Sequence, residues 1–353
     1  MRGLILAGGH GTRLRPLTHT SAKQLIPIAN KPVLFFGIEA LRDAGIRQIV
    51  IVVGHTKNEI VAAVGDGSRF GVHVEYVEQD APRGLAHAVL TAEPLLGREP
   101  FMMYLGDNFL LDGVADVVRR FDPACDDALV LLAHVQRPEE FGVARVEGGL
   151  VRAVVEKPAR PPSNLGIVGV YVFQSAIFDA CRAIRPSPRG ELEITDAIQH
   201  LIDTERRVVA ATVGGYWKDT GRPEDLLDAN RMVLDRLEPS QAGDVDAASR
   251  VEFRVVIGKG ARVRNSVIRG PALIGEGAVI EDAYVGPFTT IGDGCVVRGS
   301  EVENSILLAE AQLVGLEERV IDSLLGRAAV VQGRAHKPRA LRFVLGDRSA
   351  VGL

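Results

Sequence analysis

Apolar and polar positions alternate in blocks over the first ~235 residues. Aliphatic and β-branched runs occupy 4–7, 48–53, 72–77, 101–105, 128–135, 167–173 and 208–213. Helix-length segments at 32–44, 57–64 and 85–96 separate several of them. Such alternation predicts an α/β domain with a mainly parallel, buried sheet. Ligands of such sheets sit beyond the carboxyl ends of the strands. The residues that follow each apolar run are therefore the first candidates for chemistry.

The texture then changes. Residues 238–250 lack apolar periodicity and read as a linker or cap. Beyond them Ile-Gly pairs fall at Ile257-Gly258, Ile274-Gly275 and Ile291-Gly292, spaced by 17 residues. The same offset relates Gly260, Gly277 and Gly294; Val263, Ile280 and Val297; and Ile268, Val285 and Val302. A fixed offset kept across several columns predicts a solenoid with one coil per repeat. Aliphatic residues every five or six positions suit a triangular left-handed parallel β-helix. Continuing the offset reaches Leu308 and Ala309, where the pattern fades, so about four coils are expected. The expected organisation is 1–237 α/β domain, 238–250 linker, 251–353 left-handed β-helix and C-terminal segment. Stacking alone explains the period, which favours a structural and assembly role for the β-helix.

The densest candidate chemistry follows the first apolar run. Gly8, Gly9 and Gly11 form a glycine-rich loop, and Arg13, Arg15 and Lys23 follow. Bare backbone amides beside fixed cations suit a polyphosphate. The loop is not a Walker A sequence, and Leu14 stands where a dinucleotide fingerprint needs glycine.

Two aspartates follow later apolar runs: Asp107 in Leu-Gly-Asp-Asn and Asp219 in Tyr-Trp-Lys-Asp-Thr-Gly. Two carboxylates with phosphate oxygens and waters make a typical magnesium shell. Gln79 and the segment Gly84-Leu85-Ala86 follow the run at 72–77. Amide and backbone groups there could read a pyrimidine edge. Lys157 lies in Glu-Lys-Pro after another apolar run.

Residues 8–32 closely match Gly-Gly-x-Gly-Thr-Arg-Leu-x-Pro-x-Thr-x(4)-Lys-x-Leu-x-Pro-x-x-x-Lys-Pro. The chain thus resembles the sugar-nucleotide pyrophosphorylases along essentially its whole length, and within them the long, thymidylyl-transferring members with an appended β-helix. The resemblance implies a Rossmann-like nucleotidyltransferase domain followed by a short left-handed β-helix. It implies transfer from dTTP to glucose 1-phosphate, giving dTDP-glucose and pyrophosphate at the start of a deoxysugar pathway. Carried over residue by residue, it assigns catalysis to Arg13, Lys23 and Lys157. It assigns nucleotide binding to Leu6, Gly8, Gly9, Gly11, Thr12, Arg13, Gln79, Gly84 and Asp107. The sugar phosphate falls to Gly142, Glu156, Lys157, Ile167 and Glu193, and Mg2+ to Asp107 and Asp219. Gly166 departs from the alanine expected in the sugar-pocket segment.

Composition narrows the partners. A formal net charge of −4 argues against non-specific nucleic-acid binding. The N-terminal apolar run is too short for a membrane span or secretory signal. Cys125, Cys181 and Cys295 form no Cys-x-x-Cys, which fits a reducing cytoplasm and no zinc site. No pair among the eight histidines has metal-ligand spacing, and none is assigned a catalytic role. The open ends of a β-helix make a homo-oligomer the expected state. Three alternatives stay open: a uridylyl- or guanylyl-transferring relative, a β-helix acyltransferase, and a silent regulatory subunit. Residues 250–335 contain no histidine, against the acyltransferase. Arg13, Lys23, Asp107, Lys157 and Asp219 are all present, against the silent subunit.

Overall fold

The computed structural model describes residues 1–9, 11–19 and 21–333. The end of the expected C-terminal segment, 334–353, lies outside the described residues. Contacts divide the chain into two compact units. The first comprises Met1–His10, Ser21–Leu25 and Val33–Asp219, the second Gly11–Thr20, Ile26–Pro32 and Thr220–Leu353.

In chain order the elements through the last helix are β1 (Arg2–Ala7), the short pair β2 (Pro27–Ile28) and β3 (Lys31–Pro32), α1 (Val33–Asp43), β4 (Gln48–Val53), α2 (Lys57–Val64), β5 (His73–Glu78), α3 (Leu85–Leu96), β6 (Phe101–Leu105), β7 (Asn108–Leu110), α4 (Ala115–Arg120), β8 (Ala128–His134), β9 (Gly142–Glu147), β10 (Leu150–Glu156), β11 (Leu165–Phe173), α5 (Ala176–Ala183), α6 (Ile194–Asp203), β12 (Val208–Thr212), β13 (Trp217–Asp219) and α7 (Pro223–Leu234).

The first unit is built on a nine-stranded sheet in the order β5-β4-β1-β6-β11-β8-β12-β10-β9. β5, β4, β1 and β6 run parallel, as do β8 and β12. β11 runs antiparallel to both its neighbours, and β9 with β10 forms an antiparallel pair. The parallel character is therefore complete in the part of the sheet that delivers the glycine-rich loop.

Strand periodicity explains why β1 is apolar throughout. Successive side chains point to opposite faces, and both faces are covered. Leu4 and Leu6 pack with Ala86, Val89, Ile177 and Ile198 from α3, α5 and α6. Ile5 and Ala7 pack with Leu34, Ile38 and Leu41 from α1. Each fully buried aliphatic side chain contributes roughly 1.5–3 kcal/mol. β1 is thus a rigid lever that ends at Gly8.

The second unit contains the left-handed parallel β-helix. Among the described residues its three sheets hold six, six and five strands, exceeding the four coils expected. Ser240–Gln241, Asp244–Val245 and Arg250–Glu252 are already strands of the first coil, so the segment read as a linker is largely solenoid. Val263, Ile280, Val297 and Leu313 stack inside it in direct register, each fully buried.

The Gly-x-Gly at 258–260, 275–277 and 292–294 has two separate causes. A Cβ at Gly292 would lie 2.7 Å from both Ala309 N and Leu307 O, backbone atoms of the next coil. Gly294, two residues on, has φ +65° and needs the left-handed region. The sequence offset fails after Ile291 because its partner is Leu307, one residue short of the period. The following coil is correspondingly long, with Leu307 opposite Leu325. Leu308 and Ala309 therefore do not take the expected Ile-Gly places.

Candidate active site

At the end of β1 the backbone pairing continues for one more hydrogen bond, from Gly106 N to Leu6 O at 2.9 Å. This brings the turn Gly106-Asp107 beside the start of the glycine-rich loop. Lys23 reaches the same place: its Nζ donates to Asp107 Oδ2. A Cβ at Gly9 would come within 2.9 Å of Lys23 Cε, so glycine there gives the lysine its path. Gln24, its neighbour, is 1% exposed, and its Oε1 has no hydrogen-bond partner among the described residues. A buried acceptor of this kind is costly unless something donates to it.

β13 pairs antiparallel with β7, with Asp219 opposite Asn108. The two aspartates are therefore brought to adjacent chain segments, Asp107 being the next residue before Asn108. Asn108 holds this arrangement. Its Oδ1 accepts from Trp217 Nε1 at 3.1 Å, its Nδ2 donates to Val168 O at 2.6 Å, and its carbonyl accepts from Tyr104 Oη at 3.1 Å. At 2% exposure these groups depend on one another for satisfaction. Among the described residues no group of three or more His, Cys, Asp or Glu side chains converges.

Gln79 follows β5 on the far side of the loop. Its Nε2 donates to Gly84 O at 3.1 Å and lies 3.0 Å from His87 Nδ1. A Cβ at Gly8 would stand 3.4 Å from Gln79 Oε1. Gly8, Gln79 and Gly84 are thus brought together. Next to Gly84 the backbone is locked to Leu192, whose N–H donates to Arg83 O at 2.7 Å and whose carbonyl accepts from Ala86 N at 3.0 Å.

Leu192 leads directly into the other candidate cluster. Register places Gly142 opposite Glu156. A Cβ at Gly142 would lie 3.2 Å from both Glu156 Oε2 and Ile167 Cδ1, so the missing side chain leaves room between them. Glu156 Oε2 accepts from Thr195 Oγ1 at 3.2 Å. Arg189 Nη2 bridges Glu156 Oε1 at 3.1 Å and Glu193 Oε1 at 2.8 Å. Lys157 Nζ lies 3.9 Å from Glu156 Oε1. Lys157 itself has φ +40°, an uncommon conformation for a side-chain-bearing residue. Its N–H is tied to Phe141 O at 3.0 Å. Burial, then the charge of Glu193, lifts the Glu156 carboxyl above its ordinary value, against Lys157 and Arg189.

The first unit therefore gathers Leu6, Gly8, Gly9, Lys23, Gln79, Gly84, Asp107 and Asp219 around the ends of β1 and β6. It gathers Gly142, Glu156, Lys157, Ile167 and Glu193 around β9 and β10. Gly11, Thr12 and Arg13 belong to the second unit. There Gly11 has φ +61° and its carbonyl accepts from Thr18 Oγ1 at 2.7 Å; Arg13 is exposed. Gln24, Asn108 and Arg189 were not singled out from sequence. The first sits in Lys-Gln-Leu, the second directly follows Asp107, and the third precedes Gly-Glu-Leu-Glu.

Lys23, Asp107 and the start of the glycine-rich loop thus meet at the end of β1. The chain belongs to the nucleotidyl transferase family, whose model matches residues 2–236. Among its relatives, a glucose-1-phosphate thymidylyltransferase of Streptomyces antibioticus is 54% identical, covering 99% of each chain. A low-salt glycan biosynthesis nucleotidyltransferase of Haloferax volcanii is 44% identical over the full length of both. A UDP-glucose pyrophosphorylase solved with UDP-glucose superposes with a TM-score of 0.59 at 28% identity, covering 67% of this chain and 98% of that one.

Proposed function

We propose that this protein is a glucose-1-phosphate thymidylyltransferase, converting dTTP and glucose 1-phosphate to dTDP-glucose and pyrophosphate. The observation that carries the reading is the convergence of Lys23 and Asp107 at the end of β1, in a chain similar to such enzymes along its whole length.

A phosphate oxygen of the sugar is already an anion and needs no general base. It attacks the α-phosphorus in line. The new bond to phosphorus forms as the bond to the β-phosphate oxygen breaks, and pyrophosphate leaves with the electron pair. Catalysis is then positioning and charge stabilisation. Lys23 and the amides of Gly8 and Gly9 hold the triphosphate. Gln79 with Gly84 reads the base. Lys157 and Arg189 hold the attacking phosphate. Glu156 and Glu193 accept sugar hydroxyls, with Gly142 and Ile167 shaping the pocket.

Magnesium fits the donor set: Asp107 and Asp219 offer the hard oxygen ligands it prefers and would hold it. When bound, it offsets charge on the triphosphate oxygens. The three free cysteines suit work in a reducing cytoplasm. Val330 and Val331, 58% and 41% exposed on the last described strand of its sheet, support self-association into a homo-oligomer.

A panel of four nucleoside triphosphates against several sugar 1-phosphates tests the reading. The largest kcat/KM is expected for dTTP with glucose 1-phosphate. A clear preference for UTP or GTP, or for another sugar, would overturn the substrate assignment.

A further inference from the structure

Between Lys23 and α1 the chain makes a two-residue hairpin. Pro27 stands opposite Pro32 and Ile28 opposite Lys31. The loop residues Ala29 and Asn30 have φ +47° and +59°. Two positive φ values define the hairpin turn whose twist matches its strands. Asparagine tolerates that region, but alanine meets a steric penalty there. The turn is therefore held from outside.

The holder is Asn230, on α7. Its Oδ1 accepts from Ala29 N–H at 2.8 Å and from the Thr290 hydroxyl at 2.8 Å. Its Nδ2 donates to Phe288 O at 3.1 Å. Asn30 adds a bond of its own, from Nδ2 to Ile291 O at 3.0 Å. Asn230 and Thr290 are both fully buried. Phe288, Thr290 and Ile291 belong to one coil of the β-helix, and every group in this junction lies in the second unit. One amide thus clamps the hairpin tip, α7 and the β-helix together. The hairpin strand begins at Pro27, and the chain reaches it directly from Lys23-Gln24-Leu25.

We propose that Asn230 is a positioning residue for the triphosphate end of the reaction. It fixes the hairpin whose covalent lead-in carries Lys23 and Gln24. This rests on the reading of Lys23 as a triphosphate ligand.

The test uses full-length variants, with KM for dTTP, KM for glucose 1-phosphate, kcat and Tm measured for each. Asn230→Ala deprives Ala29 N–H and the Thr290 hydroxyl of their acceptor. Thr290→Val removes one donor only. Asn30→Gly keeps the turn conformation and deletes the bond to Ile291. The dTTP KM is expected to rise about tenfold for Asn230→Ala and about threefold for each milder variant, the scale of lost buried hydrogen bonds. The KM for glucose 1-phosphate should stay within about twofold. If Asn230→Ala does not fold, the two milder variants carry the same readout. Both KM values rising alike, or Tm falling with neither KM moved, would overturn the proposal. Lys23→Ala in the same assay separates the two ideas. An unchanged dTTP KM there refutes the reading of Lys23. A raised one, with the Asn230 junction variants silent, refutes only the positioning role.

Discussion

Lys23 and Asp107, 84 residues apart in sequence, form an ion pair with both side chains mostly buried. A part-buried carboxylate of this kind is tolerable because an ammonium compensates it. On the proposed reading, the pair sets two opposite charges where the triphosphate and its counter-ion bind.

Asp107→Ala and Asp219→Ala should each lower turnover by about 10² or more, the scale of losing a principal electrostatic stabiliser. Asp107→Ala also removes the partner of Lys23, so its Tm should fall. Magnesium titrations of steady-state rate, with circular dichroism as the folding control, measure both effects. Near-normal turnover in either folded variant would remove that residue from the metal site.

Arg13→Ala and Lys157→Ala should divide the substrates between them. Arg13→Ala is expected to raise mainly the dTTP KM, Lys157→Ala mainly the KM for glucose 1-phosphate, each about tenfold or more for loss of a charge-assisted contact. Steady-state constants for both substrates decide it. A Lys157 variant altered only toward dTTP would place that lysine at the wrong phosphate.

Glu156 predicts a pH dependence. Its carboxyl is lifted above the ordinary 4.5 by burial and then by Glu193. A carboxyl with a higher value folded than unfolded favours the fold when protonated. That contribution is complete below the unfolded value and is lost as pH rises through the folded one. Glu156→Gln should therefore flatten the Tm profile upward from 4.5 and raise Tm at neutral pH. It should also raise the KM for glucose 1-phosphate. Thermal melts across acidic to neutral pH, paired with kinetics, check the trade. A lower Tm at neutral pH would show that Arg189 and Lys157 outweigh burial.

The β-helix glycines differ sharply from a loop glycine. Gly292→Ala forces a Cβ against backbone of the next coil and should lower Tm by about 5 °C or more. Gly214→Ala, with nothing within 4 Å of its added Cβ, should leave Tm within about 1 °C. Differential scanning fluorimetry of the two variants makes the comparison.

Thiol reactivity should be confined to one residue. Burial pushes Cys181 up to about 12 and Cys295 up to about 11. Cys125 is exposed, though a hydrogen bond to Asp122 raises it as well. Ellman titration of native protein should release one equivalent, faster as pH rises, and the rest only on unfolding.

Much of this was legible in the sequence because it is local. β1 reads as a buried strand from the run that ends at Ala7, and the loop follows within the same peptide. The β-helix declares itself through stacking, which repeats the same demand at each coil. What stayed hidden depends on distant partners. Asn108 acts through Trp217, Arg189 through Glu156 and Glu193, and none of those pairings leaves a local pattern. The shortened coil after Ile291 escaped because stacking fixes which side chains meet, while a corner can lose a residue and the next regain it. The strands within 238–250 are too short and too exposed to show alternation.

Leu192 has a consequence for anyone wishing to change what this protein accepts. Its two backbone bonds fasten the peptide at Arg83 and Ala86, and the next residue is Glu193. On the proposed reading, the segments that take the base and the sugar therefore share one stretch of main chain. Redesign at Glu193 that shifts this peptide will be felt at Gly84 and Gln79. Swapping the sugar alone calls for changes at Gly142 or Ile167, on strands that leave the shared peptide where it is.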